Sequence, residues 1–441
     1  MAWNGYWTIG GEEFINGPRT EAYAANAGAL WLRPQFNNDA LGPMLDQTYT
    51  DPATDLAPWY DPNVPESADF FGYYPLDVSG IEDSTRTSVI TESTSDGGSV
   101  GRLRHGTKTV VYNGVLVGLT DKAVEYGQRW LRRVLLGGSC SVLDGTPGEL
   151  GFLSVEPELD ADPNTAPDVE VKKYQRFLRN FLVNTGPTVT SKRSVKGGCS
   201  GAVWMVTFTG SSEKAYEFGP EDPILQGWLD SAVADPWVPG VTEGAYTTAA
   251  TVFTEVDCGV DTWTPIFDPT CSPTVVPPIP PSIPLGCLDI PATWDRWQAT
   301  IPSADVPIWG TDMPIITLTA GADNLRTIRI RIYPDSEESL DPNTDSCAWS
   351  SDLVVSYLPA GATMTIDAAS EEVWVQTLNG QNRRADNLLF TTQGKPVTFP
   401  TMTCGYQYIV TLDAAITLDD LGAEVHQVPP VVDLSVVHRV V

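Results

Sequence analysis

The side chains that most often carry out catalysis are sparse in this chain of 441 residues. It has three histidines, His105, His426 and His438, and nucleophilic hydrolysis usually needs a histidine base beside a serine or cysteine. The segment Gly198-Cys-Ser-Gly201 falls one residue short of a Gly-x-Ser-x-Gly elbow, and we interpret it as a turn between strands. No P-loop or Gly-x-Gly-x-x-Gly fingerprint is present. The sequence therefore predicts no catalytic residue, no cofactor site and no enzymatic activity.

Metal-binding patterns are equally weak. Residues 160–171 match the calcium-loop spacing of acidic and amide side chains at positions 1, 3, 5 and 9, but Thr165 and Val171 stand where the loop requires glycine and glutamate. We favour a turn built on Asp-Pro-Asn over a calcium site. The 7 cysteines contain no Cys-x-x-Cys pair, so zinc is not expected. Cys258, Cys271 and Cys287 could form one disulfide outside the cell, although buried free thiols are the favoured prediction for all seven.

Aromatic side chains in the C-terminal part offer one binding chemistry, stacking on sugar rings. We expect most of them to belong to the core. Trp374 alternates with Val373 and Val375, so it points outward if those valines face the core. The candidate glycan contacts are Trp349, Trp374 and Tyr406.

Composition excludes some partners. The formal net charge is −30, and because affinity for nucleic acid comes mostly from Lys and Arg, stable DNA or RNA binding is not expected. Strong acidity serves solubility, and it also suits the wall of a conduit for polyanions. No apolar run reaches about 18 residues and the N-terminus lacks a signal-peptide pattern, so we expect no membrane insertion and synthesis in the cytoplasm.

Residues 1–257 are predicted to form one β-rich domain with some helix. A strand, a Gly-Gly turn and a second strand begin at Trp7, and a long aromatic loop region covers about 39–82. Helical spacing predicts a helix over about 121–136. Asn113-Gly114 predicts a hairpin turn. Further predictions are strands over 176–183, 188–195 and 202–209, and a short helix within 222–235.

Residues 258–287 form a Pro/Cys-rich linker. Proline fixes its own φ and favours extended geometry in the residue before it, so neither helix nor central strand can run through this segment. Residues 288–441 show short strands separated by turns, the pattern of a β-sandwich. Within them, strict alternation over Ile328–Ile332 predicts a half-buried strand. The fold class is therefore mainly β, with two bodies joined by a semi-rigid linker.

Several segments, in this order and spacing, resemble the distal tail protein (Dit)-like minor tail proteins of long-tailed actinobacteriophages. The resemblance covers most of the chain. Its segments are Trp7-Thr-Ile-Gly-Gly-Glu12 with Asn16 and Arg19, Ala57-Pro-Trp-Tyr-Asp-Pro62, Ser67-Ala-Asp-Phe-Phe-Gly72, Asp83-Ser-Thr-Arg86, Gly101-Arg-Leu-Arg-His-Gly106, Tyr126-Gly-Gln-Arg-Trp-Leu131, Asn184-Thr-Gly-Pro-Thr188, Tyr357-Leu-Pro-Ala-Gly361 and Cys404-Gly-Tyr406.

The resemblance implies a structural component of the virion tail tip or baseplate. Such proteins typically form a hexameric ring through an N-terminal ring or belt domain and carry an outer galectin-like β-sandwich. The implied partners are sister copies, the tail tube protein, the tape measure protein and other tail-tip proteins, and the implied role is host attachment and genome ejection. A glycan-binding receptor module that acts through the C-terminal sandwich remains the alternative.

Overall fold

The computed structural model describes residues 2–29, 31–36, 40–83, 86–88, 90–92, 98–100, 104–136, 148–158, 167–195, 201–254, 293–302, 311–335, 340–344, 347–392, 394–403, 406–418 and 424–440. The chain divides into two compact units: unit 1 holds residues 1–220 with 439–441, and unit 2 holds residues 221–438. Both units are built mostly from antiparallel strands, so the predicted mainly-β class is confirmed. The predicted linker over 258–287 lies outside the described residues.

Unit 1 combines strands with four helices in the part of the chain that is described. Its elements are β1 (Tyr6–Ile9), β2 (Glu12–Asn16), α1 (Gly17–Asn26), α2 (Leu41–Met44), a 3-10 turn (Pro65–Ser67), β3 (Phe70–Ser79), β4 (Arg86–Thr87), β5 (Ile90–Glu92), β6 (Gly98–Val100), β7 (Arg104–His105), β8 (Lys108–Gly118), α3 (Asp121–Leu135), β9 (Gly148–Leu153), α4 (Pro167–Tyr174), β10 (Gln175–Val195) and β11 (Gly201–Ser212). Strand β12 (Glu217–Trp228) begins in unit 1 and continues in unit 2.

In the main sheet of unit 1, strand β10 joins two runs of hydrogen-bonded strands. Strands β3, β8, β11 and β10 are hydrogen-bonded in that order, and β10 also pairs with β9, which is followed by β1 and β2. The predicted hairpin at Trp7 is confirmed as β1 and β2, joined at Gly10 and Gly11, which both have positive φ. The strands predicted over 176–183 and 188–195 are parts of the single strand β10, in which the register shifts after Val183, Thr185 and Val189.

Helix α3 confirms the prediction over 121–136. The Thr120 side chain accepts a hydrogen bond from the Ala123 amide at 3.1 Å and so caps the N-terminus. All seven apolar positions that set the predicted spacing are buried. Gly127 lies in the middle of the helix because a Cβ there would lie 2.1 Å from the Phe70 ring.

The hairpin predicted at Asn113-Gly114 is wrong. Strand β8 runs straight through both residues and pairs with β11 on one side and β3 on the other. A Cβ on Gly114 would lie 2.6 Å from the Tyr73 ring and 2.6 Å from the Tyr74 carbonyl oxygen. This glycine therefore allows the close approach of β3 and makes no turn.

The loop region predicted over 39–82 is wrong in its last third, where β3 lies. The first six residues of β3 are all buried, so they show no polar–apolar alternation to indicate a strand. Aromatic side chains anchor this region in the core, as Trp59, Phe70 and Tyr74 are each at most 4% exposed.

Unit 2 is almost entirely strand. After β12 its elements are β13 (Ala245–Tyr246), β14 (Thr251–Thr254), β15 (Thr293–Ile301), β16 (Thr311–Thr319), β17 (Leu325–Asp335), β18 (Ser351–Leu358), β19 (Thr363–Asp367), β20 (Glu372–Gln376), β21 (Asn382–Arg384), a 3-10 turn (Asp386–Leu388), β22 (Leu389–Phe390), β23 (Met402–Thr403), β24 (Gln407–Ala415), β25 (Thr417–Leu418), β26 (Glu424–Val425) and β27 (Val431–Val440). The short helix predicted within 222–235 is wrong, because Ile224, Leu225 and Trp228 are core residues of β12.

Two sheets of unit 2 share one core. The front sheet has the order β13-β15-β24-β17-β18-β22, with β14 also paired to β15. The back sheet contains β27-β16-β19-β20-β21. Side chains from both, such as Ile330 and Leu412 of the front sheet and Ile366 and Val373 of the back sheet, belong to one buried apolar cluster. Sheet-on-sheet packing of this kind excludes water from both inner faces.

The boundary between the units falls at residue 220 and not at the predicted residue 257. Strands β13 and β14 are the reason, because they pair with β15 through Ala245 opposite Thr300 and Thr251 opposite Arg296. Residues 221–254 therefore belong to unit 2.

Candidate functional site

Trp374 lies on the outer face of the back sheet. Its neighbours Val373 and Val375 are buried in the core at 0% and 6% exposure, whereas Trp374 is 38% exposed. The prediction that Trp374 points away from those valines is confirmed. On the same face, Thr365 of β19 lies directly opposite Trp374 on one side and Arg384 of β21 on the other.

A chain of polar contacts holds the Trp374 indole in place. Its Nε1–H donates to Glu372 Oε2 at 3.1 Å, and Glu372 Oε1 accepts from Arg384 at 2.9 Å. Arg384 also donates to Asp386, and Asp386 accepts from the Val373 amide at 3.0 Å. The network thus begins and ends on β20, so the ring has a defined orientation although much of its surface faces water.

The other two candidate glycan contacts lie beside the front sheet, each just before one of its strands. Tyr406 directly precedes β24 and is 39% exposed, with its ring centroid 6.3 Å from that of Tyr408. Trp349 precedes β18, is partly buried, and lies 5.7 Å from the Arg331 guanidinium. Both residues lie near the end of β17. Ser351, two residues after Trp349, pairs with Ile332 of β17, and Gln407, the residue after Tyr406, pairs with Asp335 of β17. The structure therefore places Trp374 on a different sheet from the one that Trp349 and Tyr406 adjoin.

A buried ionic cluster crosses the outer face of the front sheet, and sequence reasoning missed it. Asp413 of β24 is completely buried and lies directly opposite Arg296 of β15 and Arg329 of β17. It accepts two hydrogen bonds from Arg296, at 2.7 and 2.8 Å, and two from Arg329, at 2.9 and 2.7 Å. Arg296 also donates to the Pro342 carbonyl at 2.8 Å.

The cluster is covered by aromatic side chains. The Arg296 guanidinium lies 3.5 Å from the centre of the Phe253 ring, and the Arg329 guanidinium lies 4.1 Å from that of Trp294. Nearby, Arg331 pairs with the buried Asp352 at 2.9 Å. The half-buried strand predicted over Ile328–Ile332 is therefore wrong, because β17 is buried on both faces. Oppositely charged residues in the middle of otherwise apolar strands were the signal that could have indicated this pairing.

The three histidines do not form a shared site. The His105 ring lies 5.3 Å from Tyr216, and His438 contacts the buried Asp312 at 3.1 Å. His426 contacts Asp295 at 2.6 Å, and this hydrogen bond and charge raise the pKa of His426 above its ordinary value. Within the described ranges, no group of three or more His, Cys, Asp or Glu side chains could hold a metal ion.

Two further findings concern cysteine and membranes. Cys347, the one cysteine among the described residues, is disulfide-bonded, so the prediction of free thiols is wrong for this residue. The predicted candidates Cys258, Cys271 and Cys287 lie outside the described ranges. Across the part of the chain that is described, no helix is long and apolar enough to span a membrane.

Among the described residues, one side of β10 has no strand paired to it over residues 182–193, and we call this segment the β10 edge. Strand β11 pairs with one side of this segment, and no described strand pairs with the other side. Its exposed side chains include Leu182, Thr190, Lys192 and Arg193. Unpaired amide and carbonyl groups along such an edge can accept another strand.

Comparisons with known proteins bring no family assignment. No protein-family model and no curated protein matches the chain. Two solved phage structures are similar to it. The SPP1 Dit protein, described as a paradigm of the hub adsorption apparatus of phages that infect Gram-positive bacteria, is 9% identical with a TM-score of 0.36, over 99% of this chain and 99% of its own. A chain of the phage p2 baseplate in its activated conformation is 8% identical with a TM-score of 0.33, over 83% of this chain and 90% of its own. Similarities this low support no inference about what the chain does.

Proposed function

We propose that this protein is a structural component of a phage tail tip: a ring-forming adaptor that links the tail tube to the tip or baseplate. In this role it contributes to host attachment and DNA delivery through contacts with sister copies and other tail proteins, without catalysis. The order and spacing of the segments that resemble Dit-like minor tail proteins support this proposal. The observation that carries it in the structure is the β10 edge of unit 1.

The β10 edge has the properties of a specific pairing surface. Soluble proteins usually shorten, cover or charge their free sheet edges to prevent unwanted pairing. Here the edge is 12 residues long, but Pro187 and the register shifts after Val183, Thr185 and Val189 interrupt its regularity. Because proline donates no hydrogen bond and bulges change the strand's direction, only a partner strand of matching shape can pair with it.

We propose that the strand that pairs with the β10 edge belongs to a second copy of this chain. Lys192 and Arg193 are consecutive exposed residues of this strand, so their side chains point to opposite faces, and the Lys192 ammonium lies 3.5 Å from the centre of the Trp204 ring. The chain as a whole carries a net charge of −30. Two cations on this segment favour contact with a sister copy, because each copy carries 56 Asp and Glu residues against 26 Lys and Arg residues. Pairing between two different patches on each copy generates a closed ring when the rotation closes.

Charge reversal on the edge tests this proposal. We expect the wild-type chain to form a discrete closed oligomer in mass photometry, alone or with the tail tube protein, and Arg193→Glu to shift the population toward monomer. Lys395→Glu is the matched control: it reverses another exposed cation, which lies in unit 2, and should leave the oligomer intact. A wild-type chain that stays monomeric at every concentration and with tail proteins present would disprove the ring.

A further inference from the structure

Trp374 and the side chains around it form a surface whose chemistry suits one kind of ligand. We call it the Trp374 face and define it as Thr365, Glu372, Trp374, Gln376 and Arg384. All five belong to neighbouring strands of the back sheet, where cross-strand partners are Thr365 with Trp374 and Trp374 with Arg384. We propose that the Trp374 face binds a neutral hexose-containing polysaccharide. This proposal goes beyond the tail-tip role and stands whether or not the chain forms a ring.

The Trp374 ring is exposed and yet held in one orientation. A tryptophan side chain offers a large apolar face, and several aromatic residues of unit 2 bury that face in the protein: Trp294, Trp297 and Tyr408 are 0%, 5% and 2% exposed. Trp374 is 38% exposed, and its only polar atom is already bonded to Glu372. Binding to its free face therefore loses little conformational freedom and breaks no hydrogen bond of the ring.

Polar groups lie on both sides of the Trp374 ring. Neighbouring strands lie about 4.8 Å apart, so the side chains of Thr365 and Arg384 flank the indole at about that spacing on each side. They present a hydroxyl and a guanidinium, and Glu372 adds a carboxylate. A pyranose ring has an apolar C–H face and a rim of hydroxyl groups, so an aromatic face bordered by donors and acceptors can contact both.

Charge decides which sugars fit. Arg384 is the one cation of the face as defined, and it is already paired with Glu372 at 2.9 Å and with Asp386 at 2.5 Å. A uronate or a sugar phosphate would gain no unengaged cation among these residues and would meet two carboxylates. The net charge of −30 opposes an anionic polymer further. The chemistry therefore favours a neutral polymer.

Tyr406 and Trp349 are excluded from this surface by their place in the fold. Tyr406 has nearly the same exposure as Trp374, 39% against 38%, but it lies beside the front sheet. The ring of Tyr406 packs near Tyr408, and no carboxylate or guanidinium contact is described for it. Tyr406 therefore provides a matched control for Trp374.

The test uses the full-length chain on a printed array of neutral hexose oligosaccharides and their uronate and phosphate counterparts. We expect retention on neutral spots. For the strongest neutral binder, titration calorimetry should show affinity weakened about tenfold or more by Trp374→Ala, a small loss for Trp374→Phe, and no change for Tyr406→Ala. Unchanged melting temperatures will show that the variants are folded.

Three results would overturn the proposal: no retention of the wild-type chain on any neutral spot, binding to anionic spots only, or equal affinity of the wild-type chain and Trp374→Ala. A failure here leaves oligomer formation untouched, because the Trp374 face is in unit 2 and the β10 edge is in unit 1. Mass photometry of the same samples separates the two outcomes.

Discussion

Asp413→Asn should destabilise unit 2 more than any other single charge removal that we consider. The substitution keeps the size of the side chain but removes its charge. It also replaces one carboxylate oxygen, which accepts from a guanidinium, with an amide that can only donate. Arg296 and Arg329 would then lie in the protein interior, at 1% and 0% exposure, without the negative charge of Asp413.

The size of the expected destabilisation follows from the burial of Asp413 and its two arginine partners. Removing one partner of a buried ion pair costs about 3–5 kcal/mol, because the remaining charge stays desolvated and uncompensated. In a unit of this size, each kcal/mol lowers the melting temperature by about 2–4 °C, so the expected decrease is about 6–20 °C. Typical unfolding free energies are about 5–15 kcal/mol, so the variant loses a large part of its stability.

Differential scanning calorimetry provides the assay, and Asp386→Asn provides the control. This control makes the same chemical change in the same unit, but Asp386 is 46% exposed and pairs with an exposed Arg384, so its ion pair should contribute no more than about 1 kcal/mol. We expect the two variants to differ clearly in melting temperature. Equal small shifts would show that water reaches the Asp413 cluster and that the reasoning from burial is wrong.

Two further predictions concern packing and pH. Gly114→Ala should destabilise unit 1 by about 1–3 kcal/mol, because the added Cβ would overlap the Tyr73 ring. Gly186→Ala is the control and should leave stability unchanged, because no atom lies within 4 Å of its Cβ position. Chemical denaturation of both variants measures the difference, and similar midpoints would contradict the prediction. The pKa of His426 should lie above about 6.5 in an NMR titration of its ring protons. Because this pKa is raised in the folded state, the contact between His426 and Asp295 stabilises the fold fully below about pH 6.5, and this stabilisation is lost as the pH rises through the raised pKa. His426→Gln should remove this pH dependence of the stability. A His426 pKa at or below the ordinary value would contradict the contact with Asp295.

Local patterns in the sequence correctly predicted the elements that bury one face and expose the other. Helix α3 has an apolar stripe and a capping residue, and the alternation around Trp374 correctly indicated its outward face. Both features depend on residues that are close in the chain. They are readable because one face of the element contacts the core and the other contacts water.

The failures share a physical cause, which is burial on both faces or contact between distant strands. Strand β3 lost its alternation because both faces are covered, and Arg329 looked like a solvent-facing residue because its partner Asp413 lies far along the chain. Gly114 has the local signature of a turn, but its role is set by Tyr73 on a neighbouring strand. For the candidate site, the sequence indicated Trp374, whereas its separation from Trp349 and Tyr406 required the sheet order.

The most direct test of the tail-tip role is an electron-microscopy map of the intact virus particle with the chain located by its fold. We expect several copies in a closed ring where the tail tube meets the tip, with the β10 edge of each copy against its neighbour. A particle in which the chain is absent from the tail, or present as a solitary subunit with that edge in solvent, would contradict it.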